Sequence, residues 1–192
     1  MLKFALIAIL CFLPWLCPAQ SNFRAYSNSV EMVEGGIVAT LEIFTGNEHI
    51  TVRVPRGYTS SVDDEKHRVS FSDKAGAMNI TLQVTTDSPG SLPPDDILRS
   101  RALASYDGAK FLQVGVAGVP GRAAKFVDTY RAVDDQLTLK RRHAFVSCPE
   151  GVVEFTFSAN SRDFEQGRLA FGLMLSSFQL RAVTPPGAPS AP

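Results

Sequence analysis

The sequence predicts an α+β domain in which a central antiparallel sheet is packed with helices. Two observations support this class. Several segments alternate between apolar and polar residues with a period of two, and short turns join them, as in antiparallel hairpins. Two other segments, 93–106 and 161–176, carry helix signals. Because each alternating strand presents one apolar face, the sheet requires helices against at least one of its faces.

The strands are predicted from alternation and from the turns between them. Apolar residues alternate over 37–43 and again over 50–54, and the polar residues between them have turn chemistry, which predicts a hairpin. Proline and glycine at the centre of 119–122 predict a type II turn, and Cys148-Pro149-Glu150-Gly151 suits a type I turn. Further strands are predicted at 69–71, 78–84, 111–116, 124–130, 137–147 and 153–157.

Each predicted helix has its own start signals. Pro93 and Pro94 can occupy the entry of the first helix, and the acidic residues that follow suit the positive end of its dipole. In the second helix, Asn160 and Asp163 have capping-box spacing before an apolar stripe. Gly167 and Gly172 weaken this helix, each by about 1 kcal/mol relative to alanine.

The N-terminus has the three-part layout of a secretory signal peptide. Lys3 precedes an apolar run, and Ala19 occupies the position expected before a cleavage site. The run is too short for a membrane span and contains proline. Cys11 and Cys17 each follow leucine, which disfavours lipidation. We therefore expect cleavage after Ala19 and a periplasmic or secreted protein whose mature chain has no transmembrane segment.

The remaining chain suits a single domain with polar ends. We expect a polar leader at 20–36, the folded α+β domain at 37–182 and a Pro-rich disordered tail at 183–192. Two of the three cysteines lie in the predicted signal, so Cys148 has no intrachain disulfide partner. The formal net charge is zero, which gives no indication of nucleic-acid binding.

The sequence contains no recognisable catalytic, metal or cofactor motif. It has no Gly-x-Ser-x-Gly nucleophile elbow and no phosphate-cradling glycine-rich loop. The histidines, His49, His67 and His143, lack the spacing of zinc ligands. His143 and Cys148 are an odd number of residues apart on one predicted strand, so they face opposite sides. We therefore predict no cofactor and no enzymatic activity.

One basic cluster is the candidate binding feature. Strand alternation puts Lys140 and Arg142 on one face, and Arg141 and His143 on the other. One interpretation is a solvated sheet edge or a paired arginine. The other is an anion- or partner-binding patch made of Arg122, Lys125, Lys140, Arg141, Arg142 and His143.

Several motifs in order resemble the PsbP-like superfamily, which includes exported bacterial DcrB-type proteins. They are "ITVRVPRGY" at 50–58, "GVAGVPGRAAKF" at 115–126, "RRHAFVSCPEGVVEFTFSAN" at 141–160 and "LSSFQL" at 175–180. The resemblance spans 37–182. It implies a central antiparallel sheet with helices packed against it and no catalytic residues, so it transfers a fold and not a site.

Three functions are compatible with this sequence. The first is an exported non-catalytic accessory protein that binds another macromolecule, either a protein or another envelope component. The second is a carrier of an apolar small molecule or lipid, suggested by thirteen phenylalanines. The third is a hydrolase whose catalytic residues are dispersed along the chain.

Overall fold

The computed structural model describes residues 23–31, 37–134 and 137–183. These residues form the strands β1 (Arg24–Glu31), β2 (Ile37–Thr45), β3 (Glu48–Arg53), β4 (Tyr58–Asp63), β5 (Arg68–Asp73) and β6 (Met78–Thr85). The helix α1 (Asp95–Ala104) follows, and then β7 (Lys110–Val116), β8 (Ala124–Ala132), β9 (Thr138–Cys148) and β10 (Gly151–Asn160). The chain continues through α2 (Phe164–Ser176) to β11 (Gln179–Ala182).

The strands form two antiparallel sheets. The large sheet has seven strands in the order β4-β5-β6-β10-β9-β8-β7, and the small sheet has four in the order β1-β2-β3-β11. Adjacent pairs such as β2–β3 and β9–β10 are hairpins with tight turns. Gly46, with a φ of 53°, lies in the β2–β3 turn, a conformation that glycine adopts without steric cost.

The main core lies between the two sheets and α2. The small sheet contributes alternate aliphatic residues of β2 and β3, and the large sheet contributes alternate residues of β5, β6, β9 and β10. The α2 residues Phe164, Phe171, Met174 and Leu175 pack into the same cluster. Side chains such as Phe155 and Phe157 are fully buried, so this layer supplies most of the hydrophobic stabilisation.

A second, smaller core lies on the opposite face of the large sheet. Leu98 and Ala102 of α1 pack there against Val127, Phe145 and Val152. The helix α1 contacts β7 and β8, while α2 contacts β10, β6 and β3. The two helices therefore lie on opposite faces of the large sheet, over different strands.

The predicted helices and turns agree with the structure, but the single central sheet does not. Both helices are present within the predicted ranges. The type II turn is present too: Gly121 has a φ of 67°, and the Arg122 amide donates to the Val119 carbonyl at 3.4 Å. The expectation of one sheet covered by helices is corrected, because β1, β2, β3 and β11 form a separate sheet over the large one.

The polar leader is also corrected in part. Arg24–Glu31 forms β1, which pairs with β2 along its whole length, and Phe23 is buried in the main core. Its polar composition follows from its position as an edge strand of the small sheet. The predicted signal peptide and the tail beyond Val183 lie outside the described residues.

Candidate functional site

The six residues of the predicted basic patch do not share one surface. The alternation predicted for β9 is correct. Ala144 and Val146 alternate with Lys140 and Arg142 on the same face of the strand, and they belong to the main core on the α2 face. Phe145 shares the other face of the strand with Arg141 and His143, and it packs with α1. The basic residues of β9 are thus divided between two environments, and each residue has its own partners.

Arg142 is a largely buried, ion-paired residue. Its Nε and Nη2 atoms donate to the two carboxylate oxygens of Asp128 at 2.7 and 2.6 Å, and its guanidinium lies 4.1 Å from the centre of the Phe126 ring. Asp128 also accepts from the Gln113 amide at 2.7 Å. This bidentate pair joins β8 to β9 and corresponds to the paired-arginine interpretation.

The other residues on the edges of the predicted patch are also engaged. Lys125 forms an ion pair with Asp95 at 2.5 Å, which ties β8 to the first turn of α1. The Lys140 ammonium lies 5.6 Å from the centre of the Phe164 ring. Arg122 lies near Glu48, where its positive charge opposes the rise that burial causes in the pKa of that carboxyl group.

His143 is fully buried within a polar network on the α1 face. Its Nδ1 lies 2.9 Å from the Glu154 carboxylate and 3.2 Å from the Thr156 hydroxyl. Its Nε2 lies 3.4 Å from the Ser105 hydroxyl, at the C-terminal end of α1. The network joins β9 to β10 and to α1, which satisfies a buried imidazole.

Ser105, His143 and Glu154 have the connectivity of a hydrolase triad, but the serine is oriented differently. The Ser105 hydroxyl donates to the Ala102 carbonyl at 2.8 Å, which is shorter than its 3.4 Å separation from His143. A serine nucleophile needs its proton directed to the histidine, together with donors for the developing oxyanion. As arranged, the three residues fix the end of α1 to the sheet.

Arg141 differs from Arg142 because it has no carboxylate partner among the described residues. Its guanidinium stacks 3.9 Å from the centre of the Tyr106 ring and donates to the Ser105 carbonyl at 3.3 Å. Arg131 of β8 lies 5.5 Å from the centre of the same ring. Burial and the nearby Arg131 charge lower the pKa of Arg141, with Tyr106 acting in the opposite direction.

Cys148 is a buried free thiol beside Glu48. Burial raises the pKa of the Cys148 thiol to about 12, and the Glu48 carboxylate adds to the rise. Since the thiolate is the reactive form, the environment suppresses both nucleophilic attack and disulfide exchange. The structure therefore agrees with the interpretation of Cys148 as a packed thiol.

The outer face of α2 exposes a group of large apolar side chains. Leu169 and Leu173, one helical turn apart, are 68% and 71% exposed, and Val116 at the end of β7 is 82% exposed. Two open grooves adjoin them. The first, of ≈ 640 Å³, includes Val116, Phe126, Leu169 and Leu173 in its lining, and the second, of ≈ 890 Å³, includes Val54, Tyr58, Leu173 and Phe178. We call Leu169 and Leu173 the α2 apolar surface.

Sequence reasoning missed the residues that give these sites their character. Arg131 approaches Arg141 through the β8–β9 register, which pairs Thr129 with Arg141. Ser105 and Tyr106 reach Arg141 from the C-terminal end of α1. The α2 apolar surface had a signal in the sequence. Leu169 and Leu173 fall outside the apolar stripe of Phe164, Phe171 and Leu175. The sequence therefore indicates that α2 also has apolar residues on a face that does not point to the core.

Within the described ranges, no group of three or more His, Cys, Asp or Glu residues is placed to hold a metal ion. Neither α1 nor α2 has the length and apolar character needed to cross a bilayer.

Comparisons with known proteins return only remote structural likeness. No protein-family profile and no curated protein matches the chain. Among solved structures, the chain is similar to cyanobacterial PsbP (CyanoP) from Synechocystis sp. PCC 6803, with 14% identity, a TM-score of 0.48, and coverage of 83% of this chain and 92% of that one. It is also similar to a Pseudomonas aeruginosa protein of unknown function described as a candidate regulator, with 14% identity, a TM-score of 0.43, and coverage of 76% and 91%.

Proposed function

We propose that this protein is an exported, non-catalytic accessory protein that binds another protein through the α2 apolar surface. The observation that carries the proposal is the exposure of Leu169 and Leu173, at 68% and 71%, on one side of a helix whose other side is buried in the core. Clustered exposed apolar residues on a folded domain are typical of interaction sites. The grooves on either side offer recesses for side chains of the partner.

Export and PsbP-like ancestry are part of the same proposal. The support for export is the charged, apolar and small-residue pattern of residues 1–19. The support for a PsbP-like, DcrB-type relationship is the order of the four sequence motifs together with the observed order of strands and helices. An exported chain would meet its binding partner in the cell envelope or medium.

The experiment is affinity capture from the source envelope fraction with matched variants. Leu169→Asp and Leu173→Asp introduce a charge at exposed positions, so the fold is expected to persist. Ile97→Asp is the control, because Ile97 is an exposed aliphatic residue, 43% accessible, on the helix of the opposite face. The proposal expects a protein that wild type and Ile97→Asp retain and the two leucine variants lose. Equal retention by all four chains, or no specific protein at all, would overturn it.

The carrier alternative has less structural support. The phenylalanines that suggested it mostly contact each other: Phe157 packs against Phe164 and Phe171, with ring centres 5.2 and 5.7 Å apart, and Phe155 packs against Phe178. These rings are packed into the core, and Phe171 and Phe178 also border the two open grooves beside α2. Native mass spectrometry of protein purified from its source tests the alternative, and a bound lipid at one-to-one stoichiometry would favour it.

The hydrolase alternative has one specific observation in its favour, the Ser105–His143–Glu154 connectivity. A fluorophosphonate probe labels serine hydroxyls that a histidine activates. The non-catalytic proposal expects no labelling of Ser105. Labelling of the wild type that Ser105→Ala abolishes would establish the alternative.

A further inference from the structure

Two arginines from neighbouring strands converge on a single aromatic ring at the C-terminal end of α1. Arg141 of β9 lies 3.9 Å from the centre of the Tyr106 ring, and Arg131 of β8 lies 5.5 Å from it. The ring is held in place, since the Tyr106 hydroxyl lies 3.2 Å from the Thr129 hydroxyl. Like charges at such close quarters repel, which favours an anion beside them.

The neighbouring residues compensate these charges incompletely. Arg141 donates from Nη1 to the Ser105 carbonyl at 3.3 Å and approaches the Ser105 hydroxyl at 3.4 Å, and Arg131 donates from Nη1 to the Asp107 carbonyl at 3.2 Å. The Nε atoms of both arginines are buried without a hydrogen-bond partner. The carbonyls at the end of a helix carry only partial negative charge, so two full positive charges remain.

Three other arginines of the described chain have a carboxylate partner. Arg142 has Asp128, Arg168 has Glu165 and Arg101 has Asp87 as an ion-pair partner. Within the described residues, Arg131 and Arg141 have no such carboxylate. Glu154, the acidic side chain of the adjoining histidine network, pairs with His143 at 2.9 Å.

We propose that Arg131 and Arg141 bind a phosphate group between their guanidinium groups, with the Ser105 hydroxyl at the edge of the site. The free donors of two guanidinium groups match the several acceptor oxygens of a phosphate. Bound phosphate supplies the negative charge that the described residues lack. The site lies on the α1 face of the large sheet and is separate from the α2 apolar surface.

The same chemistry is found in free phosphate and in phospholipid headgroups, so the test has two arms. In the first, the full chain is titrated with inorganic phosphate against sodium chloride of equal ionic strength, and backbone amide signals are followed by NMR. In the second, sedimentation with phosphatidylglycerol vesicles is compared with sedimentation with phosphatidylcholine vesicles. Arg131→Gln and Arg141→Gln are the test variants. Arg141→Lys keeps the positive charge but lacks the planar set of guanidinium donors. Arg168→Gln on α2 is the matched control.

The proposal expects saturable shifts at Ser105, Tyr106 and Asp107, or selective vesicle binding, in the wild type and in Arg168→Gln. Each glutamine variant weakens binding about tenfold or more, and Arg141→Lys falls between them. Saturation by phosphate alone identifies a soluble ligand, and vesicle binding alone identifies a headgroup. Linear shifts with no vesicle selectivity, or an equal loss in Arg168→Gln, would overturn the proposal. The wild-type titration decides the matter even where a variant fails to fold.

Discussion

Adjacent residues of β9 have opposite roles although the sequence presents them as one basic cluster. Arg142 is enclosed by Asp128 and Phe126, whereas Arg141 lies against Tyr106 beside a second arginine. Alternation along a strand predicted which residues share a face, because that depends only on the period of two. It could not predict the partners, because those come from β8 and α1 through a register that single-strand patterns do not contain.

The first prediction concerns the buried pair of Arg142 and Asp128. Arg142→Met leaves the Asp128 carboxylate, 3% exposed, without its cation. The free energy of unfolding should fall by about 3 kcal/mol or more, because an uncompensated buried charge is costly. Lys140→Met on the same strand should change it by less than about 0.5 kcal/mol. Urea titrations of both variants measure this, and similar values for the two would contradict the assignment.

The environment of Arg142 also limits which substitutions can test the basic cluster for partner binding. Reversing Arg142 to glutamate would place two carboxylates together in a largely buried site and strongly destabilise the fold. Loss of partner capture by such a variant would therefore say nothing about a binding surface.

The second prediction concerns the pH dependence that Glu48 contributes. Glu48 is 4% exposed, and burial raises its pKa above the ordinary value of 4.5. The folded state therefore holds a proton that the unfolded state releases, and stability falls as the pH rises from 4.5 toward the folded-state pKa. One pKa unit corresponds to about 1.4 kcal/mol, which denaturant titrations resolve.

Glu48→Gln should therefore stabilise the protein at pH 7 and have little effect at pH 4. Glutamine reproduces the neutral carboxyl and retains an acceptor for the Glu150 amide, which donates to Glu48 at 3.1 Å. Glu165→Gln, on the exposed side of α2, is the control. A stabilisation that is the same at both pH values, or a loss of stability at pH 7, would contradict the burial of an ionisable carboxyl at this position.

At the scale of an element, the two glycines of α2 are not equivalent. A Cβ at Gly167 would collide with the Phe157 ring and lie 2.7 Å from the Met78 sulfur, whereas a Cβ at Gly172 meets nothing within 4 Å. The sequence assigned both the same cost as helix-weakening residues. In the structure, Gly167 has a packing role, because its lack of a side chain allows α2 to approach β10 closely. Gly172 faces a groove, so it only lowers the helix propensity of α2.

The third prediction follows from this difference. Gly167→Ala should lower the free energy of unfolding by about 1–3 kcal/mol through overpacking. Gly172→Ala should raise it by up to about 1 kcal/mol through better helix propensity. The pair serves as its own control in thermal or denaturant unfolding. Changes of the same sign for the two variants would show that α2 does not pack as described.

The strands that the sequence did not predict are those with little apolar alternation. β1 is an edge strand, and β4, the edge of the large sheet, has the exposed sequence YTSSVD. β11 has four residues and pairs only with β3. Edge strands gain their stability from backbone hydrogen bonds on one side, so their side chains carry a weak pattern. The predicted strands 78–84 and 153–157 are central and buried on one face, which is why they were recognisable.

At the scale of the whole molecule, the two faces of the large sheet divide the candidate functions. One face carries the small sheet and α2, with the apolar surface of Leu169 and Leu173 at its outside. The other carries α1 and the Arg131–Tyr106–Arg141 cluster. The α+β class followed from local patterns, but the split into two sheets did not. Alternation identifies an apolar face without identifying what covers it.

The central claim is that α2 docks onto a partner protein, and site-specific photocrosslinking tests it most directly. A photoreactive benzoylphenylalanine replaces Leu169, Leu173 or Ile97 in the full chain, and the protein is irradiated in its source cells. The account predicts one discrete adduct of the same mass from positions 169 and 173 and none from 97. No adduct from either leucine position, or the same adduct from Ile97, would contradict it.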